Sequence, residues 1–149
     1  MIKRIGLCAL ALVACILSIQ AQTQVIAHRG FWKTEGSAQN SITALEKAAE
    51  AKLYGSEFDV LMTVDGKMVV NHDNTIEGMI IPETPYKQLK KLKIKNGEKL
   101  PTLKNYLKKG KKLDIQLILE AKPLPTKEME DQAIATIVKM VKKMGLEKQ

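Results

Sequence analysis

The chain has 149 residues, of which 24 are lysine or arginine and 16 are acidic, so its formal net charge is +8. Only two of the basic residues are arginines, whereas nucleic-acid-binding surfaces usually combine arginine with interleaved aromatic residues. We therefore expect no nucleic-acid partner. The lysine clusters at 87–99, 104–112 and 139–143 are typical of solvated helix faces, and they are compatible with a weak attraction to anionic lipid headgroups or phosphate esters.

Residues 1–21 have the pattern of a secretory signal peptide. Two basic residues precede an apolar stretch at 5–19 that is too short to span a bilayer comfortably. We expect cleavage after Ala21 and export to the periplasm or the extracellular space. A second interpretation is a bacterial lipoprotein signal at 12–15, which would leave a lipid anchor on Cys15 and predict association with a membrane surface. A third is an uncleaved membrane anchor.

Residues 22–149 are long enough for one domain with a hydrophobic core. Both cysteines, Cys8 and Cys15, precede this domain, so we expect neither a disulfide nor thiolate chemistry within it. Apolar runs of strand length alternate with helical patterns along the domain. This alternation predicts an α/β fold with a parallel sheet.

The first half of the domain contains three predicted strands and one helix. In chain order these are a strand at 25–27, a helix capped by Asn40 or Ser41 and continuing to Leu53, a strand from Tyr54 that carries Glu57 and Asp59, and a strand at 67–72. Asp65 and Gly66 mark a tight turn between the last two strands. If this is a two-residue hairpin turn, Val64 faces Lys67 and Asp59 lies opposite His72. If the strands are parallel instead, Asp59 and His72 still lie at neighbouring carboxyl ends.

The second half contains two predicted helices, a strand and a final helix. In chain order these are a short helix with Thr84 as N-cap and Pro85 as first residue, a helix from Thr102 to Gly110, a strand at 114–122, and a helix from about Thr126 to Gly145. The apolar centre of the strand, at 115–119, predicts burial on both faces. Four apolar residues of the last helix have core-facing spacing: Ile134, Ile137, Val138 and Val141.

Residues that can transfer protons or hold anions stand where predicted strands end. His28 and Arg29 directly follow the first strand, and His72, the second of only two histidines, ends another. An imidazole can donate or accept a proton, and a guanidinium can hold an anionic oxygen. This combination favours a phosphate site, although a structural role for His72 remains an alternative.

Acidic residues also stand on these strands with a spacing of two. Glu57 and Asp59 point to the same side of their strand, as a site for a hard cation requires, and Glu120 and Lys122 repeat the spacing. Three carboxylates buried at strand ends are costly without a cation, which favours a divalent metal site. Taken alone, Glu57 and Asp59 are more typical of ordinary surface acids beside a turn.

Together these motifs resemble the glycerophosphodiester phosphodiesterase family. The matching strings, in chain order, are His28-Arg29-Gly30, Gln39-Asn40-Ser41, Glu57-Phe58-Asp59-Val60 with Thr63 and Asp65-Gly66, Val69-Val70-Asn71-His72-Asp73, and Leu119-Glu120-Ala121-Lys122. Their order and spacing match the family over most of residues 25–122. A single His-Arg-Gly string is weak evidence, whereas this ordered set is specific.

The resemblance implies a TIM-type (β/α)8 barrel with its active site at the carboxyl ends of the strands. It assigns the site residues as follows: His28 and His72 as general acid and base, Arg29 and Lys122 as phosphate contacts, and Glu57, Asp59 and Glu120 as ligands of Ca²⁺ or Mg²⁺. The implied reaction is hydrolysis of a small glycerophosphodiester to glycerol 3-phosphate and an alcohol, a step of lipid metabolism.

The chain departs from the family pattern in two respects. It has Gln39 where the family usually has a glutamate near the metal, and it ends after the helix that follows its fourth recognisable strand. We therefore predict a barrel truncated at the carboxyl end, with about the first four strand units and an open sheet edge suited to self-association. Two alternative functions follow: an inactive half-barrel fragment that needs a partner half, and a related sphingomyelinase D-like lipid phosphodiesterase.

Overall fold

The computed structural model of the protein describes residues 23–149. The predicted signal peptide at 1–21, its alternatives and both cysteines lie outside the described residues. Among the helices formed by residues 23–149, none has the length and apolar character needed to cross a membrane.

The described residues form an α/β structure built around one mixed sheet. Its elements are β1 (Ile26–Ala27), α1 (Ile42–Glu50), β2 (Gly55–Met62), β3 (Met68–Val70), β4 (Thr75–Ile76), β5 (Met79–Ile80), a 3₁₀ turn (Ile81–Glu83), α2 (Tyr86–Leu89), α3 (Leu103–Gly110), β6 (Gln116–Ala121) and α4 (Lys127–Met144). The predicted α/β class is confirmed.

Strand β2 is the centre of the main sheet. It pairs in parallel with β1, where Ile26 lies opposite Gly55, and with β6, where Gly55 lies opposite Gln116. Helices α1 and α3 lie in the two crossovers that connect these strands. Consecutive strand and helix units of this kind are the repeating element of α/β folds.

The prediction of about four barrel strand units is wrong for the described residues, which contain three. Strand β3 runs antiparallel to β2 and pairs with its last three residues, Val60 to Met62, beyond the end of β1. On its other side, Val69 of β3 forms an isolated bridge with Thr102. The short connection explains the difference, because a hairpin joins antiparallel strands whereas a parallel neighbour needs a long crossover.

The predicted register of the β2–β3 hairpin is also wrong by one residue. The backbone N–H of Thr63 donates to the carbonyl of Lys67 at 2.9 Å, which leaves three residues in the loop instead of two. The third, Gly66, has φ 75°, the left-handed conformation that such a loop requires. As a result, the backbone carbonyl of Asp59 accepts a hydrogen bond from the backbone N–H of Asn71. Asp59 therefore lies opposite Asn71 and not opposite His72.

The core lies between β2 and the helices that cover one of its faces. Phe58 of β2 is fully buried and its ring lies 4.4 Å from that of Tyr106 on α3. Helix α1 adds Leu45 and is capped by Ser41, whose Oγ accepts from the N–H of Ala44 at 2.9 Å. Packing of the apolar face of α1 therefore holds the segment before this helix, which contains Asn40 and Ser41, close to β1 and β2.

The predicted burial of β6 on both faces is wrong. Its residues are half-buried or exposed, whereas those of β2 are almost all buried, because β6 pairs on one side only within the described residues. Two residues of the predicted apolar stripe on α4 are exposed as well, Ile134 at 49% and Val138 at 44%. Apolar surface therefore remains uncovered on this side of the sheet.

The predicted start of the short helix α2 is displaced by one residue. Pro85 is the N-cap, while the Thr84 hydroxyl donates to the carbonyl of Ile80 at 2.7 Å. The N–H of Tyr86 instead donates to the Oδ1 of Asp65 at 2.9 Å, so a residue of the β2–β3 loop caps the helix. This cap ties α2 to the main sheet.

Candidate active site

The predicted site residues lie on the parallel strands or directly after them. His28 and Arg29 follow β1, while Glu57 and Asp59 lie on β2. In the parallel register Asp59 is the direct partner of Glu120 on β6. Paired residues of adjacent strands share a face of the sheet, so all three carboxylates lie on the side of β2 opposite Phe58.

The three carboxylates form one cluster. Glu57, Asp59 and Glu120 each have one carboxylate oxygen that lies within 4.8 Å of the corresponding oxygens of the other two. The Asp59 side chain is fully buried and that of Glu57 is 12% exposed, whereas that of Glu120 is 49% exposed. The cluster therefore has a buried base and an open side.

Two oxygens of this cluster lack hydrogen-bond donors. Glu57 Oε1 and Asp59 Oδ1 are buried without a hydrogen-bond partner. An unpartnered buried carboxylate oxygen is unfavourable unless a cation compensates it. The donor set is entirely oxygen, which suits a hard divalent cation. The residues present therefore fit a divalent metal ion.

The electrostatics of the cluster differ from its buried to its exposed side. Burial raises the pKa of Glu57 above its usual value, and the charges of Asp59 and Glu120 raise it further against the opposing effects of the Arg29 N–H and His28. A hydrogen bond from Lys122 lowers the pKa of Glu120 and raises that of the lysine itself. Burial is thus the main cause of the raised pKa of Glu57, and the neighbouring acids add to it.

Two basic side chains border the carboxylates. Lys122 Nζ lies 2.8 Å from Glu120 Oε1 and 3.5 Å from Asp59 Oδ1. Arg29 Nε lies 3.8 Å from Asp59 Oδ2, and its Nη1 donates to the Oε1 of Gln39 at 2.9 Å. The motif predicted that Gln39 lies near the metal. In the structure its side chain accepts a hydrogen bond from the Arg29 guanidinium. Arg29 and Lys122 flank the cluster where an anionic ligand would approach.

The two histidines follow β1 and β3, which pair with the same edge of β2. His28 Nε2 lies 3.9 Å from Glu57 Oε2, and the His28 side chain is 67% exposed. His72 Nδ1 lies 2.8 Å from Asp73 Oδ1, which orients its ring.

Sequence reasoning missed the role of Asn40. Its Nδ2 donates to Asp59 Oδ2 at 2.8 Å, and its Oδ1 accepts from the Asp59 N–H at 3.1 Å. Asn40 has φ 61°, a left-handed conformation that asparagine tolerates better than most residues. Because Ser41 is the helix cap, the Asn40 side chain is free to fix the buried carboxylate.

A cavity of about 490 Å³ opens beside the site. Gln39, Asn40 and His72 line it, together with Lys93 and Lys95. A ligand bound at the carboxylates therefore has room to extend past His72.

A model of the Glycerophosphoryl diester phosphodiesterase family matches residues 28–148. The chain therefore belongs to this family, and the resemblance inferred from the motifs is confirmed. A glycerophosphodiester phosphodiesterase from Caldanaerobacter subterraneus subsp. tengcongensis is 37% identical over 94 residues, which are 55% of this chain and 38% of the relative.

Solved structures give the same result. A glycerophosphodiester phosphodiesterase from Parabacteroides distasonis matches with 56% identity and a TM-score of 0.81, over 83% of this chain and 52% of that one. An Oleispira antarctica phosphodiesterase, solved with the product sn-glycerol-3-phosphate, matches with 28% identity and a TM-score of 0.72, over 82% and 53%.

The solved relatives are TIM-barrel proteins, and the described residues form part of such an α/β fold. The chain spans about half the length of the solved relatives and 38% of the curated one.

Proposed function

We propose that this protein is a divalent-cation-dependent phosphodiesterase that hydrolyses glycerophosphodiesters to glycerol 3-phosphate and an alcohol. The observation that carries the proposal is the meeting of Glu57, Asp59 and Glu120 between two cationic side chains, Arg29 and Lys122. Acidic oxygens alone would repel a phosphodiester. Their combination with a guanidinium and an ammonium suits a ligand that carries a phosphate and is bound together with a cation.

The basic residues hold the phosphate in this proposal. The Arg29 guanidinium has donors beyond the one used by Gln39, and Lys122 has three ammonium hydrogens, of which Glu120 takes one. Charge-assisted bonds from both would fix the phosphoryl oxygens and offset the negative charge that develops on them during attack.

The histidines move the protons. One imidazole takes a proton from the attacking water, and the other gives one to the oxygen of the departing alcohol. His28 Nε2 lies 3.9 Å from Glu57 Oε2, and His72 Nδ1 lies 2.8 Å from Asp73 Oδ1.

The proposed cofactor is Ca²⁺ or Mg²⁺, held by Glu57, Asp59 and Glu120. When bound, either ion supplies positive charge against the phosphoryl oxygens. The two unpartnered carboxylate oxygens support this assignment. Both ions prefer oxygen ligands, and Ca²⁺ accepts the more irregular arrangement.

Export is part of the proposal. Its support is the sequence of residues 1–21, with two basic residues before an apolar stretch. The location is periplasmic or extracellular, with attachment to a membrane surface if Cys15 is lipidated. Mass spectrometry of the protein recovered from its native host distinguishes a chain that begins after Ala21 from one with a lipidated Cys15.

The activity is tested by glycerol 3-phosphate release from glycerophosphocholine by the purified protein. We expect turnover that EDTA abolishes and added Ca²⁺ or Mg²⁺ restores. His28→Ala and His72→Ala should each reduce kcat by about 10²-fold or more, since general acid or base catalysis contributes that much. Glu120→Gln should raise the cation concentration needed for activity.

A matched control is Glu128→Gln, which removes an exposed carboxylate from α4, away from the cluster, and should leave turnover unchanged. Release of ceramide phosphate from sphingomyelin, without release of glycerol 3-phosphate from glycerophosphocholine, would replace the proposed substrate with that of a sphingomyelinase D-like enzyme. Turnover insensitive to EDTA would contradict the cation site.

A second candidate function is that of an inactive half-barrel that associates with another half. The observation that favours it is β6, which is half-buried and pairs only with β2 within the described residues. Unpaired strand edges promote association. A concentration-dependent dimer in sedimentation, together with no cation-dependent turnover, would support this candidate over the enzyme.

A further inference from the structure

The backbone of Arg29 is fixed at both of its polar groups. Its N–H donates to Glu57 Oε2 at 2.7 Å, and its carbonyl accepts from the N–H of Asn40 at 3.0 Å. Its φ of 59° is left-handed, an uncommon conformation for a residue other than glycine. The Arg29 side chain therefore leaves the backbone in a set direction, toward the carboxylate cluster.

The orientation of the guanidinium depends on Gln39. Arg29 Nη1 donates to Gln39 Oε1 at 2.9 Å, the one hydrogen bond that the guanidinium makes to the described residues. Arg29 Nε lies 3.8 Å from Asp59 Oδ2, too far for a hydrogen bond, and is buried without a partner. Without the amide, the guanidinium would keep its ion pair with Asp59 but would make no hydrogen bond to the described residues.

The amide at this position has a chemical consequence. Its oxygen accepts a hydrogen bond but carries no charge, so the positive charge of Arg29 is not offset at that end. A carboxylate would make a stronger, charge-assisted bond and would add a fourth acid beside Glu57, Asp59 and Glu120. An apolar side chain of equal length would leave Nη1 without a partner.

Gln39 also borders the cavity beside His72. A phosphate held by the free donors of Arg29 would therefore lie between the carboxylate cluster and this cavity. Small changes in the direction of the guanidinium would move the phosphate relative to His72.

We propose that Gln39 is a positioning residue that orients the Arg29 guanidinium toward phosphate while leaving its charge available. The inference rests on the proposed function, because it takes a phosphate ester as the ligand. It predicts that the neutral amide sets the affinity of the site for phosphate monoesters and diesters through Arg29.

The test compares the unaltered protein with Gln39→Glu, which keeps an acceptor but adds charge, and Gln39→Met, which keeps length but removes the acceptor. The first measurement is the dissociation constant of sn-glycerol 3-phosphate by calorimetry, at fixed Ca²⁺ and in EDTA. We expect about tenfold weaker binding by Gln39→Glu under both conditions, and a smaller loss by Gln39→Met. For glycerophosphocholine, Gln39→Glu should raise KM more than it lowers kcat.

A double-mutant cycle shows whether the effect passes through Arg29. In an Arg29→Gln background, Gln39→Glu should change glycerol 3-phosphate binding by less than about twofold, because the charge it neutralises is gone. An undiminished loss in that background would overturn the proposal. If Arg29→Gln does not fold, the two single variants decide: unchanged phosphate affinity with only a lower melting temperature would show that Gln39 is merely structural.

The outcome separates this inference from the proposed function. Normal turnover with no effect of Gln39→Glu on binding or KM would overturn the inference alone. Binding of glycerol 3-phosphate that responds to Gln39→Glu, without turnover of any glycerophosphodiester, would overturn the activity and retain the inference. If the unaltered protein does not bind glycerol 3-phosphate, both fail.

Discussion

The buried carboxylate of Asp59 depends on one asparagine. Asn40 donates to its Oδ2 and accepts from its backbone N–H, so the two residues close a reciprocal pair across 19 positions of sequence. No other hydrogen bond among residues 23–149 reaches the Asp59 side chain, since Arg29 and Lys122 lie at 3.8 and 3.5 Å. Asn40 therefore fixes the position of the Asp59 carboxylate, one of the proposed cation ligands.

Replacing Asn40 with alanine should both destabilise the fold and weaken cation binding. The Asp59 N–H and Oδ2 would lose their partners while buried, which costs about 1–3 kcal/mol in the free energy of unfolding. Urea denaturation measures the first effect and Ca²⁺ calorimetry the second. Asn105→Ala, at an exposed position on α3, is the control and should change neither quantity; equal effects of the two variants would contradict this role of Asn40.

The raised pKa of Glu57 predicts how cation binding depends on pH. Its pKa lies above 4.5 in the folded protein, and a protonated Glu57 is a poor ligand. Cation affinity should therefore be constant at neutral pH and fall as the pH drops through a midpoint above 4.5. The dissociation constant of Ca²⁺, measured at successive pH values, tests this. An affinity that stays constant down to pH 4.5 would show that Glu57 is not a ligand.

At the scale of single elements, helix α1 is held by a carboxylate from a distant loop. Glu98 Oε2 accepts from the N–H of Ile42 at 2.9 Å and Oε1 from that of Thr43 at 3.2 Å. Burial acts to raise the pKa of Glu98, but these bonds and those from the side chains of Thr43 and Asn96 outweigh it, so the pKa is lowered. The loop at 93–99 thereby fixes the helix that follows Asn40.

Glu98→Gln should lower the free energy of unfolding by about 1 kcal/mol at pH 7, the usual effect of losing a helix cap, reduced by solvent screening. Because the folded-state pKa of Glu98 is depressed, its contribution is present above pH 4.5 and is lost as the pH falls through the lower folded value. Thermal or urea unfolding at pH 7 and below pH 4 should show the difference between variant and parent shrinking. Glu50→Gln, at the exposed far end of α1, should show no such pH-dependent difference.

Elements and site residues were not equally predictable from the sequence. The strands, helices and acids followed from local periodicity and spacing, which is why Ser41, Glu57 and Glu120 stand where expected. The β2–β3 register did not follow, because Asp65 and Gly66 are compatible with loops of two or three residues. The position of Asn40 depends on a left-handed backbone and a distant partner, and neither leaves a periodic signal.

At the scale of the whole molecule, the predicted burial of β6 and α4 was wrong because burial depends on which other elements pack against them. Apolar spacing shows which face of an element is suited to a core, but whether that face is covered depends on neighbours elsewhere in the fold. Ile134 and Val138 have the spacing of core residues and yet are exposed. Their pattern is compatible with further covering elements in longer relatives of this chain.

A cation should stabilise the whole fold because its proposed ligands come from both β2 and β6. An ion that binds only the folded state raises the free energy of unfolding by about 2.7 kcal/mol at 100 times its dissociation constant. Chemical denaturation with Ca²⁺ and with EDTA should show this gain in the parent protein. Asp59→Asn should abolish the gain, whereas Asp131→Asn, exposed on α4, should retain it; an equal gain in both variants would place the ion elsewhere.

The pairing of Asp59 with Glu120 joins two positions that are distant in the sequence and adjacent in the sheet. A complete coordination sphere can therefore form only after the β2 and β6 segments have met during refolding. Luminescence from Tb³⁺ substituted for Ca²⁺ would then report, in real time, the closure of this long loop. The proposed cofactor site would therefore report when β2 and β6 pair during refolding.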